Sequence, residues 1–116
     1  MTETSFWILT ALAAGRLHGY AVLSDVNRLS GGSVALRVTT LYASLERLER
    51  EGRIRSAGEE VVDGRARRYY EILESGRVLL EAEAEWLAAR AAAAQGSIAR
   101  GAAARLSPAP LVAVSV

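Results

Sequence analysis

Two groups of side chains in this sequence are equipped to hold an anion. Arg65, Arg67 and Arg68 follow directly on Asp63-Gly64, and Arg37 stands just ahead of a segment carrying Thr39, Thr40, Ser44 and Arg47. Guanidinium groups present forked donors that match phosphate oxygens and the guanine edge. Short hydroxyl side chains let a backbone come close to a polyanion and can donate to it themselves. All 14 basic residues are arginine, yet the formal net charge is only +1, so any positive field must be local. Other chemistries are poorly supplied. There is no cysteine and a single histidine, His18, which removes thiolate chemistry and leaves no ligand set for zinc or iron. No carboxylate pair with a histidine, no nucleophile motif and no phosphate-cradling glycine loop occurs. Ser30-Gly31-Gly32-Ser33 lacks the lysine and the strand-to-helix setting of such a loop. No catalytic residue, metal or cofactor is therefore expected.

The arginines and threonines need elements to position them, and apolar spacing supplies these. Phe6, Leu9 and Leu12 predict a helix over 5–14, stopped by Gly15. Tyr20, Leu23, Val26 and Leu29 repeat every three residues along one side of a second helix over 19–29, ended by the Ser30–Ser33 breaker. Leu41, Leu45 and Leu48 form an i, i+4, i+7 ridge on a third helix over 38–51, closed by Gly52. At about 100° per residue, the opposite side carries Thr39, Thr40, Ala43, Arg47 and Arg50, with Tyr42 on the flank. Segments 53–62 and 65–73 are extended in character, with Ile54, Val61, Val62, Tyr69, Tyr70 and Ile72 as strand formers, around Asp63-Gly64, a type I′ turn signal. A fourth helix is expected over 75–94. Leu80, Ala84, Leu87, Ala91 and Ala94 step along it in a heptad-like seam widened by Trp86. Gly96 is read as its end, and the remainder to Val116 as a tail that is weakly helical at first, broken at Pro108 and Pro110, and apolar at its close.

Helix, helix, helix, hairpin, helix is the order of a mainly α winged helix-turn-helix with an added C-terminal helix. The expected organisation is a DNA-binding domain over 1–73, a dimerisation helix over 74–95 and a tail over 96–116. A major groove admits one helix, read by its N-terminal half. The third helix has no acid in that half, because Glu46, Glu49 and Glu51 all come later, leaving the positive end of its dipole to an anion. The plainer readings are that Thr39 and Thr40 only cap the helix, that Glu46–Arg50 and Arg47–Glu51 are i, i+4 pairs, and that the hairpin arginines merely offset Glu59, Glu60 and Asp63. His18 reads better as a turn residue than as a sensor.

The segments His18-Gly19-Tyr20, Thr40 through Ile54, Gly64 through Tyr70 and Gly76-Arg77 resemble the PadR family of bacterial transcriptional regulators in order and spacing. The resemblance covers about Phe6 to Ala94. It implies a repressor that acts as a homodimer on an inverted-repeat operator in double-stranded DNA and is released by a small molecule. It places the DNA-contacting helix on Thr39 to Arg47 and the wing on Arg65 to Arg68. Related regulators hold flat aromatic or cationic effectors on aromatic residues near the dimer interface, which nominates Trp7 and Trp86. The expected DNA contacts are Arg37, Thr39, Thr40, Tyr42, Ser44, Arg47, Arg65, Arg67 and Arg68. The expected dimer contacts are Leu80, Ala84, Trp86, Leu87 and Ala91. The family usually carries Gly where Thr39 stands and a capping Thr where Leu73 stands, so Ser75 is the substitute cap expected here. The low net charge and apolar tail keep a second expectation open: a winged-helix module that docks proteins and has little specific DNA binding. With neither a signal-peptide pattern nor an apolar run of about 18 residues, a cytoplasmic protein without membrane attachment is expected.

Overall fold

The structure, a computed structural model, describes residues 1–106; Pro108, Pro110 and the apolar close of the tail lie outside them. The first helix, α1, spans Glu3–Ala13, with the Thr2 hydroxyl accepting from the Ser5 N–H at 3.1 Å. A two-residue strand follows, β1 at Leu17–His18, then α2 at Gly19–Leu29 and α3 at Val38–Arg50. Strands β2 (Ile54–Val62) and β3 (Arg65–Ile72) form the hairpin, and α4 spans Glu74–Leu106. Both turn residues adopt positive φ, 51° at Asp63 and 74° at Gly64, as a type I′ connection requires.

The sheet has three antiparallel strands in the order β1-β3-β2. Among the described residues this is a winged helix fold. β1 is an addition to the expected plan: two residues are too short to show a period, and the strand exists only because Leu17 and His18 pair with Tyr70 and Tyr69 about fifty positions on. The core is built from Ile8, Leu9 and Leu12 of α1, Val22 and Val26 of α2, Leu41, Leu45 and Leu48 of α3, and Ile54 and Tyr70 of the sheet. The α3 ridge is thus inward, as its spacing demands. In α2 the buried set is Gly19, Val22 and Val26, so the expected stripe is corrected: Tyr20 stands outside at 58% exposure.

Two compact units divide the chain, Met1–Glu83 and a second beginning at Ala84. In the first, α4 starts hard against the base of β2. The Leu73 N–H donates to the Arg53 carbonyl at 2.9 Å, and the Leu73 carbonyl accepts from Arg77 at 3.0 Å. Ser75 does not cap the helix as expected; its hydroxyl turns back and donates to the Gly52 carbonyl at 2.6 Å. Leu79 and Leu80 lean on the core, so Leu80 is at least partly used within its own domain. In the second unit the helix continues through Gly96 to Leu106, past its expected end. Alanine runs on both sides of Gly96 and Gly101 sustain it, since each glycine costs only about 1 kcal/mol against alanine. Along this unit Ala84, Trp86, Leu87 and Ala91 are all exposed.

Candidate nucleic-acid interface

The outer face of α3 is open. Thr39, Thr40, Ala43, Ser44, Arg47 and Arg50 line a shallow concavity along it. Arg37 occupies the N-cap position with extended backbone and makes no side-chain cap. Thr39 and Thr40 lie inside the first turn, exposed to solvent. The capping explanation for these threonines therefore fails, and the first N–H groups of α3 stay available beside two hydroxyls and a guanidinium.

Two of the expected contacts are less free than the others. Ser44 is only 8% exposed: three residues on from Leu41 and four before Leu48, it is drawn to the inner side of the helix. Arg47 is turned toward α1. Its Nη2 donates to the Ser5 hydroxyl at 3.0 Å and lies 3.4 Å from that of Thr2, while its Nε is 3.9 Å from the Glu51 carboxylate. This arginine ties the start of α1 to α3. Arg50 is exposed, and the Glu46–Arg50 pair is not formed among the described residues. Sequence spacing put both arginines on the outer side; the position of α1 decides between them.

Tyr42 stands between the helices and the wing. Its phenol packs on Gly19, where a Cβ would come within 2.6 Å of the hydroxyl oxygen. It joins Tyr20, His18, Arg65, Arg67 and Arg68 around a cleft of about 510 Å³ between the start of α2 and the wing. Tyr20 was hidden from sequence reasoning because its spacing matched an apolar stripe. His18 has the structural role expected of it. Its Nδ1 accepts the Ala21 N–H at 3.3 Å and caps α2, and its ring meets Tyr69 edge-on at 5.6 Å.

On the wing, β3 and β2 bring acids opposite bases: Glu59 faces Arg68 and Glu60 faces Arg67. Arg68 lies 3.8 Å from the Glu59 carboxylate, an exposed pair of little energetic consequence. Arg65 and Arg67 make no ion pair among the described residues. The Tyr69 hydroxyl donates to Glu60 at 2.7 Å, which holds its phenol above the ordinary value with help from burial. Burial also pushes the Tyr70 phenol up, against the pull of the neighbouring Arg68 guanidinium. Both tyrosines are therefore neutral at physiological pH.

The two tryptophans differ in setting. Trp7 packs against the core edge-on to Phe6 at 5.2 Å, and its indole N–H is buried without a hydrogen-bond partner among the described residues. Trp86 is exposed, and Arg90 lies over its ring at 4.3 Å. Among the described residues no cluster of acids, histidines or cysteines could hold a metal ion, and no helix is long and apolar enough to cross a membrane.

Comparison with known proteins agrees with this geometry. Residues 8–82 match the model of the transcriptional regulator PadR-like family. A 37.1 kDa protein in transposon TN4556 of Streptomyces fradiae is 40% identical over 86 residues, which cover 74% of this chain and 23% of that protein. The chain likewise spans 64% of the length of a second curated relative, from Lysinibacillus sphaericus. A transcriptional regulator from Clostridium thermocellum superposes with a TM-score of 0.64 at 28% identity, covering 79% of this chain and 87% of that one. Bacillus subtilis PadR, solved in complex with operator DNA, gives a TM-score of 0.63 at 25% identity over 75% of this chain and 48% of that one.

Proposed function

Because the chain belongs to the PadR-like family of transcriptional regulators, we propose that it is a dimeric, sequence-specific repressor released from its operator by a small molecule. Family membership makes it a DNA-binding regulator; the dimer, the repression, the effector and the contacts below are our reading. One observation carries it: α3 has an exposed start without a side-chain cap, and its Tyr42 shares a cleft with the arginines of the wing. Arg37, Thr39, Thr40, Tyr42 and Arg50 face the major groove, with the start of α3 on the phosphates. Arg65, Arg67 and Arg68 follow the backbone into the adjacent minor groove. Ser44 and Arg47 line the same concavity, with Arg47 also held to Ser5.

Two copies suit an inverted repeat. The exposed apolar side chains of the second unit, Ala84, Trp86, Leu87 and Ala91, are the surface they share, because such a patch is costly to leave in water. Flat aromatic or cationic effectors have two aromatic candidates. Trp86 offers a ring already covered by a guanidinium, which a cationic ligand would displace. Trp7 holds a buried indole N–H without a hydrogen-bond partner among the described residues, which an effector would reach only by opening the edge of the core.

Selection of duplexes from a random library, followed by anisotropy titration, tests the reading. The expected product is an inverted repeat bound by two chains, with Thr40→Ala changing which duplexes are selected. A selection that returns no preferred sequence from an intact dimer would refute it. A protein-docking module is the second reading, favoured by the acids that offset the wing's arginines. A stable protein complex that survives removal of Arg65, Arg67 and Arg68 would support that alternative.

A further inference from the structure

The wing is a long ribbon with a break in it. Its ladder runs from Ile54 opposite Ile72 to Ser56 opposite Tyr70, then slips, and resumes at Glu59 opposite Arg68. Between the two stretches lie Ala57 and Gly58, the latter at φ 102°. A bulge of this kind bends a strand and removes ladder bonds, and a two-stranded ribbon beyond it has little stiffness of its own. The arm carrying Arg65, Arg67 and Arg68 is therefore hinged at Ala57–Gly58.

Arg16 spans that hinge. It comes from the short connection between α1 and β1, and its Nη1 donates to the Ala57 carbonyl at 3.0 Å. The same guanidinium lies over the Tyr69 ring, 4.5 Å from its centroid. One side chain thus grips β2 at the bulge and β3 directly across from it. Tyr69 is itself fixed, by pairing with His18 in β1, by edge contact with the His18 ring and by its bond to Glu60 beyond the bulge. We infer that Arg16 is a positioning residue for DNA binding, a clamp that sets the angle of the wing against the recognition helix without touching DNA.

The geometry of a lever shows why this matters. From Tyr69 to the tip at Gly64 the arm is about 17 Å long at about 3.3 Å per residue, so a pivot of about 10° moves its tip by about 3 Å. A displacement of that size exceeds the tolerance of a guanidinium–phosphate hydrogen bond. Without the clamp the arginines must be ordered at the moment of binding.

The inference rests on the DNA-binding reading, and its test separates the two. Full-length wild type, Arg16→Ala and Arg16→Lys are compared by hydrogen exchange of the free protein and by anisotropy titration with the selected duplex. In Arg16→Ala, amide exchange across 59–66 should accelerate, duplex binding should weaken about five-fold as the freed wing has to be ordered on binding, and the unfolding midpoint should fall by only a few degrees on losing one exposed cation–π contact and one exposed hydrogen bond. Arg16→Lys keeps a donor for Ala57 but not a planar group for Tyr69, so it should fall between. Weaker binding with unchanged wing exchange would mean that Arg16 meets the duplex itself, which overturns the inference. A loosened wing with undiminished binding would overturn it equally. If wild type selects no duplex, the DNA-binding reading fails, and wing exchange alone judges the clamp: no acceleration in Arg16→Ala refutes it.

Discussion

Replacing Gly76 by alanine tests how α4 is seated on the winged domain. A Cβ at this position would run into the Arg53 carbonyl oxygen, 3.1 Å from its carbon and 3.0 Å from Cγ1 of Ile72. The oxygen cannot simply move, because it accepts the Leu73 N–H at 2.9 Å. Overpacking of this kind costs about 1–3 kcal/mol, and weakening the bond to Leu73 adds about 1 kcal/mol. Against that, alanine gains about 1 kcal/mol over glycine inside a helix. The net expectation is a loss of about 2 kcal/mol, or roughly 8–16 °C in midpoint for a domain this size. Gly101→Ala is the control, since a Cβ there meets nothing; only the helix gain of about 1 kcal/mol applies. Thermal unfolding followed by circular dichroism reads both variants. If Gly76→Ala is as stable as wild type, or shifts in the same direction as Gly101→Ala, the tight seating of α4 on Arg53 is wrong.

Other consequences can be measured in the same preparations. Arg50→Ala should alter sequence preference while leaving stability near wild type, whereas Arg47→Ala should cost about 1 kcal/mol of stability by releasing Ser5 and Glu51; duplex selection and urea unfolding tell them apart. Arg67→Ala should lower the slope of log affinity against log salt by about 1, read by anisotropy across a salt series. Trp86→Glu with Leu87→Glu should convert a dimer to a monomer in sedimentation with the winged domain still folded. The raised Tyr70 phenol sets a pH dependence. Its stabilising share is complete below the unfolded tyrosine value of about 10 and is lost as pH rises through the higher folded value. Tyr70→Phe should therefore flatten the alkaline fall in stability measured from pH 8 upward.

Much of the architecture is legible because it is local. The Leu41–Leu45–Leu48 ridge announces which side of α3 turns inward, Asp63-Gly64 announces its turn, and Ser30–Ser33 announces where α2 must stop. Misreadings came where an apolar stripe had two neighbours to choose from. Tyr20 matches the spacing of Leu23 and Val26, yet the buried residues of α2 are Gly19, Val22 and Val26, and Tyr42 lies over Gly19. α4 runs past Gly96 to Leu106 for a different reason: a glycine stops a helix only when its neighbours do not favour continuing.

Residue order alone, then, settled the winged helix plan, the inward side of its third helix and the polar character of the other side, since each follows from periodicity and turn chemistry within a dozen positions. Which arginine looks outward was decided by the packing of α1, whose two hydroxyls draw Arg47 aside and leave Arg50 exposed. The β1 strand and the grip of Arg16 on the wing join parts of the chain tens of residues apart. No local pattern encodes such pairings; they arise only when the folded core brings those segments together.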